Sequence, residues 1–91
     1  MTKLPFTHTL AALERIWFND GARKHGDAWL QRPDNLDMVK ADKHRIKDRD
    51  PMASNYDGDS GELNAEHELL RLMCRNERRR IRMAETNRNG R

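Results

Sequence analysis

"SGELNAEHELLRLMCRNERRRIRMAE", Ser60–Glu85, is the stretch on which the fold turns. Leu63, Leu70, Met73, Cys74, Ile81 and Ala84 recur at helical spacing, with Leu69 and Leu72 beside them, so one broad side of a helix is apolar. The spacing predicts a helix over about 60–86 that reaches roughly 38 Å. The tail, residues 87–91, is expected to fray. A helix of that length in a chain of 91 residues leaves room mainly for shorter helices lying against it.

Two such helices are legible upstream. Thr7 or Thr9 can cap a helix over about 9–19, where Leu10, Leu13, Ile16 and Trp17 share a face. The Asn19-Asp20-Gly21 run is expected to end it. Asp34 is a good N-cap for "NLDMVKADKHRIKD", a helix over about 34–48 whose Leu36, Val39 and Ile46 line one side thinly, and Pro51 stops it. Between the second and third helices, "DPMASNYDGDSG" (50–61) is a polar loop of turn formers, long for so small a domain. No strand pattern, repeat or low-complexity block interrupts this order. The expectation is a small all-α, three-helix domain over residues 1–86 with a long basic C-terminal helix.

Composition narrows the class. At 35% hydrophobic and 36% charged residues, with a mean hydropathy of -1.12, the chain has little apolar material to bury. Small domains bury a smaller share of their surface, so self-association into a dimer or other homo-oligomer is expected. A single cysteine, Cys74, excludes an internal disulfide framework and a cysteine-based zinc cluster. It fits a reducing compartment and reads as a small apolar helix residue. No apolar run has the roughly 20 residues needed to span a bilayer, and "MTKLPFTHTLAALE" lacks a signal-peptide core. A cytoplasmic protein with no membrane partner is expected. The net charge of +3 hides an asymmetry, because residues 1–70 are net acidic and residues 71–91 carry eight arginines against two glutamates.

Few residues carry evident chemistry. His67 lies four after Leu63 and three before Leu70, so it points into the apolar stripe. It is either a buried neutral histidine with a hydrogen-bond partner or a general base or metal ligand completed by other helices. His44 and Asp48 sit one turn apart and can share a metal or form a surface ion pair. Asp57, Asp59 and Glu62 precede the last helix, where carboxylates cap the helix and complement its dipole or hold Mg²⁺. There is no P-loop, no G-x-G-x-x-G, no HExxH and no catalytic triad pattern. The tail resembles the arginine-rich helices with which some phage antiterminators grip RNA. Arg75, Arg78, Arg79 and Arg82 can face phosphates or an acidic protein together, though no aromatic is interleaved for base stacking.

Three pieces in order carry a second resemblance: "ALERIWFNDGARKHGDAW", "DKHRIK" and "DSGELNAEH". Over roughly residues 9–74 the chain resembles a small phage-associated family of dATP/dGTP diphosphohydrolase-like proteins. The resemblance implies phage nucleotide metabolism in the host cytoplasm. It also implies a divalent metal (Mg²⁺ or Mn²⁺) and pyrophosphate release from purine deoxynucleotides. On it, His67 and Asp59 are the expected catalytic residues, and His44, Asp59 and His67 the metal ligands. His25, Trp29, Arg23 and Lys24 form the substrate wall. The chain departs from the family where His25 replaces an aromatic and Asn64 replaces the first histidine of the final helix. Three readings follow: a metal-dependent nucleotide diphosphohydrolase, a non-catalytic accessory protein that binds RNA, DNA or an acidic host protein through residues 71–91, or a small helical dimer that self-associates through the 63–84 stripe.

Overall fold

The computed structural model describes residues 4–21 and 26–90, and they form the all-α architecture that the periodicity predicts. Helix α1 spans Thr7–Ile16 and continues as one π-helical turn, Trp17–Gly21. A 3-10 turn, Gly26–Leu30, leads into α2, Asp34–Arg49, and the chain ends in α3, Asn64–Gly90. Among the described residues the only β-type pairing is an isolated bridge between Tyr56 and Leu63. Helices α2 and α3 form an antiparallel hairpin: Asp34 pairs with Arg78 and Arg82, and His44 meets Asn64 and His67. Helix α1 lies across the start of α3, where Arg15 clamps Glu62 with two hydrogen bonds of 2.7 and 2.9 Å.

The helix ends differ from expectation for local reasons. Phe6, with no side-chain cap, precedes α1 in place of a threonine cap. Pro33 occupies the cap position of α2, so Asp34 becomes its first helical residue and turns its carboxylate to Arg78. The third helix starts at Asn64, four residues late, because residues 57–61 close a turn of their own. Asp57 Oδ2 accepts the backbone N–H groups of Asp59 and Ser60, and Gly61 N–H returns to the Asp57 carbonyl. Gly61 takes φ +76°, a conformation that favours glycine. Glu66 then accepts the Leu63 N–H, half of a capping box. At the other end α3 continues through residues 87–90, where fraying is expected.

The core corrects the sequence reading more deeply. Buried apolar residues are few: Ala12, Leu13, Ile16, Ala41 and Cys74. The largest fully buried side chains are Asn64 and Asp37, and Arg78 is only 4% exposed. Leu36, Val39 and Ile46, which line one side of α2, are exposed. The face that meets α3 carries Asp34, Asp37, Ala41, His44 and Asp48. Opposite them, α3 presents Asn64, His67, Arg71, Cys74 and Arg78, while Leu69, Met73 and Ala84 of the apolar stripe are exposed. A polar seam therefore holds the hairpin, and apolar side chains lie outside it.

Candidate functional site

The centre of the seam is a buried ion cluster. Asp37 (0% exposed) pairs with Arg78 at 2.7 Å, Arg32 at 2.9 Å and Arg71 at 3.1 Å. Arg78 also donates to Asp34 Oδ1 and to the Trp29 carbonyl. Burial pushes the Asp37 carboxyl upward, but hydrogen bonds from Arg78, Arg32 and Arg71 outweigh it and hold the group below the usual carboxylate range. Hydrogen bonds from Arg78 do the same for Asp34. Burial works against the Arg78 charge, yet Asp34 and Asp37 raise its pKa above the ordinary value. Burial next to Asp37 raises the Cys74 thiol, so it stays protonated and serves packing.

Around this cluster the charges do not balance. Four arginines touch two carboxylates, and Lys40 lies near. The surplus faces a cleft of about 500 Å³ lined by Ala28, Gln31, Arg32, Leu36, Lys40 and Arg71. Arg32 and Arg71 are each anchored to Asp37, which fixes their planes while leaving other N–H groups for a ligand.

One helical turn along the same seam stand the two histidines, since Lys40 precedes His44 by four residues and Arg71 follows His67 by four. Their rings stack, with centroids 4.6 Å apart and planes 15° from parallel. Asn64 orients the first ring. Its Nδ2 donates to the carbonyls of Ser54 and Asn55, which turns Oδ1 toward His44 Nδ1 at 2.8 Å. An amide oxygen only accepts, so Nδ1 carries the proton, and the neutral ring keeps its lone pair on Nε2. His67 Nε2 shares a 2.6 Å hydrogen bond with Ser60 Oγ and lies 3.7 Å from Asp57 Oδ2. Burial raises the Asp57 carboxyl, but the Ser60 N–H, the charge of His67 and the Asp59 N–H together hold it below its ordinary value. It therefore faces His67 as an anion at neutral pH.

The expected residues are distributed as follows. His44 and His67 come together across α2 and α3. Asp59 does not face them as a side chain: it is exposed, its backbone N–H supports the turn, and the carboxylate that reaches His67 is Asp57. The turn geometry decides this, because Asp57 folds inward over its own Ser60. Trp29 packs edge-on against Trp17, with centroids 5.3 Å apart, and its neighbour Ala28 lines the cleft. Arg23, Lys24 and His25 lie outside the described residues. Of the tail arginines, Arg78 is buried in the ion cluster, Arg82 reaches Asp34 at 3.5 Å, and Arg75 has a buried Nε without a hydrogen-bond partner. Arg79 and Arg82 are exposed while Arg78 is buried and Arg75 half-buried, so the four do not form one outward surface. Arg32, Lys40, Arg71 and Asn64 were not singled out as ligand or site residues. Their signal was the placement of polar residues where an apolar seam belongs.

Among the described residues no group of three or more His, Cys, Asp or Glu side chains is placed to hold a metal ion. His44 Nδ1 and His67 Nε2 both have hydrogen-bond partners, and a single carboxylate stands beside the pair. No helix of the described residues is long and apolar enough to cross a membrane. Compared with family models, curated proteins and solved structures, the chain matches none.

Proposed function

We propose that the α2–α3 seam binds a purine deoxynucleoside triphosphate and hydrolyses it to the monophosphate and pyrophosphate. The observation that carries this reading is the stacked His44–His67 pair one helical turn from a cleft with three cations. A triphosphate needs several positive charges at fixed positions, and Arg32, Arg71 and Lys40 supply them. Any divalent cation arrives with the triphosphate as part of the substrate. The preference for purine deoxynucleotides rests on the family resemblance.

At the histidine end, water attacks the α-phosphorus. A P–O bond forms to that water, and the bond to the departing pyrophosphate breaks. The proton of the water passes to His67 Nε2, directly or through the Ser60 hydroxyl bonded to it. The Asp57 carboxylate stabilises the imidazolium until the proton leaves with solvent. His44, held in one tautomer by Asn64, keeps the His67 ring in place by stacking.

The test is turnover of each deoxynucleoside triphosphate with Mg²⁺, Mn²⁺ or Co²⁺, assayed as monophosphate and pyrophosphate. Purine-selective pyrophosphate release that falls about a hundredfold or more in His67→Ala supports the reading. No turnover with any metal refutes it. The residues to examine would then be the exposed arginines of α3, for steeply salt-dependent binding to nucleic acid or an acidic protein.

A further inference from the structure

The last turns of α3 are its most exposed and most basic part. Residues 71–91 carry eight arginines against two glutamates. Asp34 and Asp37 take up Arg71 and Arg78, and Asp34 holds Arg82 only at 3.5 Å, with 58% of that arginine in water. Arg79 and Arg80 are exposed and pair with no carboxylate among the described residues. Asp34, the first residue of α2, reaches no further along α3 than Arg82. Every residue from Arg82 to Asn87 is exposed, so the end of α3 projects beyond the hairpin.

Helical geometry arranges these side chains about the outward side. Successive residues are turned by about 100°, so Arg79 and Arg80 bound a sector of that width, facing away from the buried Arg78. Asn76, Met83 and Asn87 project within the sector, and all three are exposed. Arg82 and the half-buried Arg75 stand beside Arg79 on its outer flank. Glu77 and Glu85 fall outside the sector. Toward the helix start the same side turns apolar at Leu69 and Met73, which limits a polyanion footprint to residues 75–87.

We infer that this sector docks in the major groove of double-stranded DNA. An α-helix is about 10–12 Å across, and the major groove of B-form DNA is about 12 Å wide. A helix lying in that groove has a phosphate strand on each side. Arg79 then meets one strand and Arg80 the other, with Arg82 and Arg75 continuing the first row. Guanidiniums suit this position, because their planar forks donate two hydrogen bonds to one phosphate. The amides of Asn76 and Asn87 lie between the two rows and face the base edges.

The chemistry favours this polyanion over others. The major groove of A-form RNA is too narrow to be read this way. No Phe, Tyr or Trp lies on α3 to stack the bases of a single strand. An acidic protein face calls for one row of cations, not two rows separated by amides. None of these residues lines the cleft of about 500 Å³, so binding of DNA does not depend on nucleotide turnover.

Fluorescence anisotropy of the full chain with a labelled DNA duplex, without nucleotide and between about 50 and 200 mM KCl, tests the proposal. Saturable binding is expected, with log K falling against log salt at a slope of about -3, as for about three neutralised phosphates. Arg79→Gln with Arg80→Gln is expected to bring the slope to about -1 and to weaken binding more than about tenfold at low salt, with far-UV circular dichroism unchanged. Lys43→Gln with Lys47→Gln removes two exposed cations from α2 instead and is expected to stay within about threefold of wild type. No binding at about 50 mM KCl overturns the proposal. So does an arginine variant that binds like wild type, or a lysine variant that loses as much as the arginine one. Duplex RNA, single-stranded DNA or poly-glutamate that competes as well as unlabelled DNA duplex overturns it too.

Discussion

Replacing Asp37 by Asn keeps the size of the side chain and removes the charge about which the α2–α3 seam is arranged. Three guanidiniums then face a neutral amide, and only Arg78 among them keeps a carboxylate partner, Asp34. An amide oxygen accepts one or two of these donors, and its NH₂ group is turned against at least one other. Removing one partner of a buried ion pair costs about 3–5 kcal/mol. The lower end applies here, because Arg71 keeps 31% of its side chain in water and can reorient. A loss of about 3 kcal/mol is a large part of the stability of a domain this size and lowers the unfolding midpoint by about 12–24 °C. Arg82→Ala is the matched control: its pair with Asp34 is 3.5 Å long and 58% exposed on the arginine side, so its loss costs less than about 1 kcal/mol. Urea and thermal unfolding followed by circular dichroism measure both. If Asp37→Asn unfolds within about 0.5 kcal/mol of wild type, the polar seam is not what holds the hairpin.

Asn64→Ala removes the amide that ties His44 to the carbonyls of Ser54 and Asn55, and urea unfolding is expected to show a loss of about 2–3 kcal/mol. A loss below about 0.5 kcal/mol would leave that amide without a structural role. Gly61→Ala costs roughly 1–2 kcal/mol through its φ of +76° alone, since a Cβ there meets no heavy atom within 4 Å. Gly58→Ala, with equal space and no positive φ, is expected to be near neutral, and equal effects at the two positions would contradict the account. Asp34, Asp37, Asp57 and Glu62 are all held below their ordinary pKa values by arginine partners, backbone N–H groups or His67. Their folded values lie below the unfolded ones, so this stabilisation is complete above the ordinary carboxylate range and is lost as pH falls through the depressed values. Thermal midpoints are expected to drop steeply below about pH 4, and a midpoint that holds to about pH 3 would contradict the pairing.

The helices were legible because their periods and breakers are local. Pro51 ends the second helix, and the stripe from Leu63 onward marks the third. Which face packs was not legible for α2. Leu36, Val39 and Ile46 line one side of α2 by their spacing, yet Asp37, Ala41 and His44 are the residues that meet α3, because Arg32, Arg71 and Arg78 supply partners from the 3-10 turn region and from another helix. Such pairing is set by residues 34 and more positions apart along the chain in the case of α3, which no local window registers. The arginines of the tail were read as a surface for the same reason, since the acids that claim Arg78 lie on α2. The family resemblance implied that His44 and His67 lie close, and their rings stack across α2 and α3. The choice of Asp57 over Asp59 depended on turn geometry: two aspartates two residues apart in a glycine-containing loop look alike until one folds over Ser60. Polar residues in the inward positions of an otherwise ordinary helical hairpin are where local rules and the fold disagree, and a site is expected there.

The most direct measurement is a titration of the full chain with dGTP and Mg²⁺, following the imidazole carbon and proton shifts of its histidines by NMR. The account predicts saturable shifts at His44 and His67, abolished by Arg71→Ala, with no shift at the exposed His8 of α1. Unmoved His44 and His67 resonances at saturating nucleotide would contradict a nucleotide site in the α2–α3 seam.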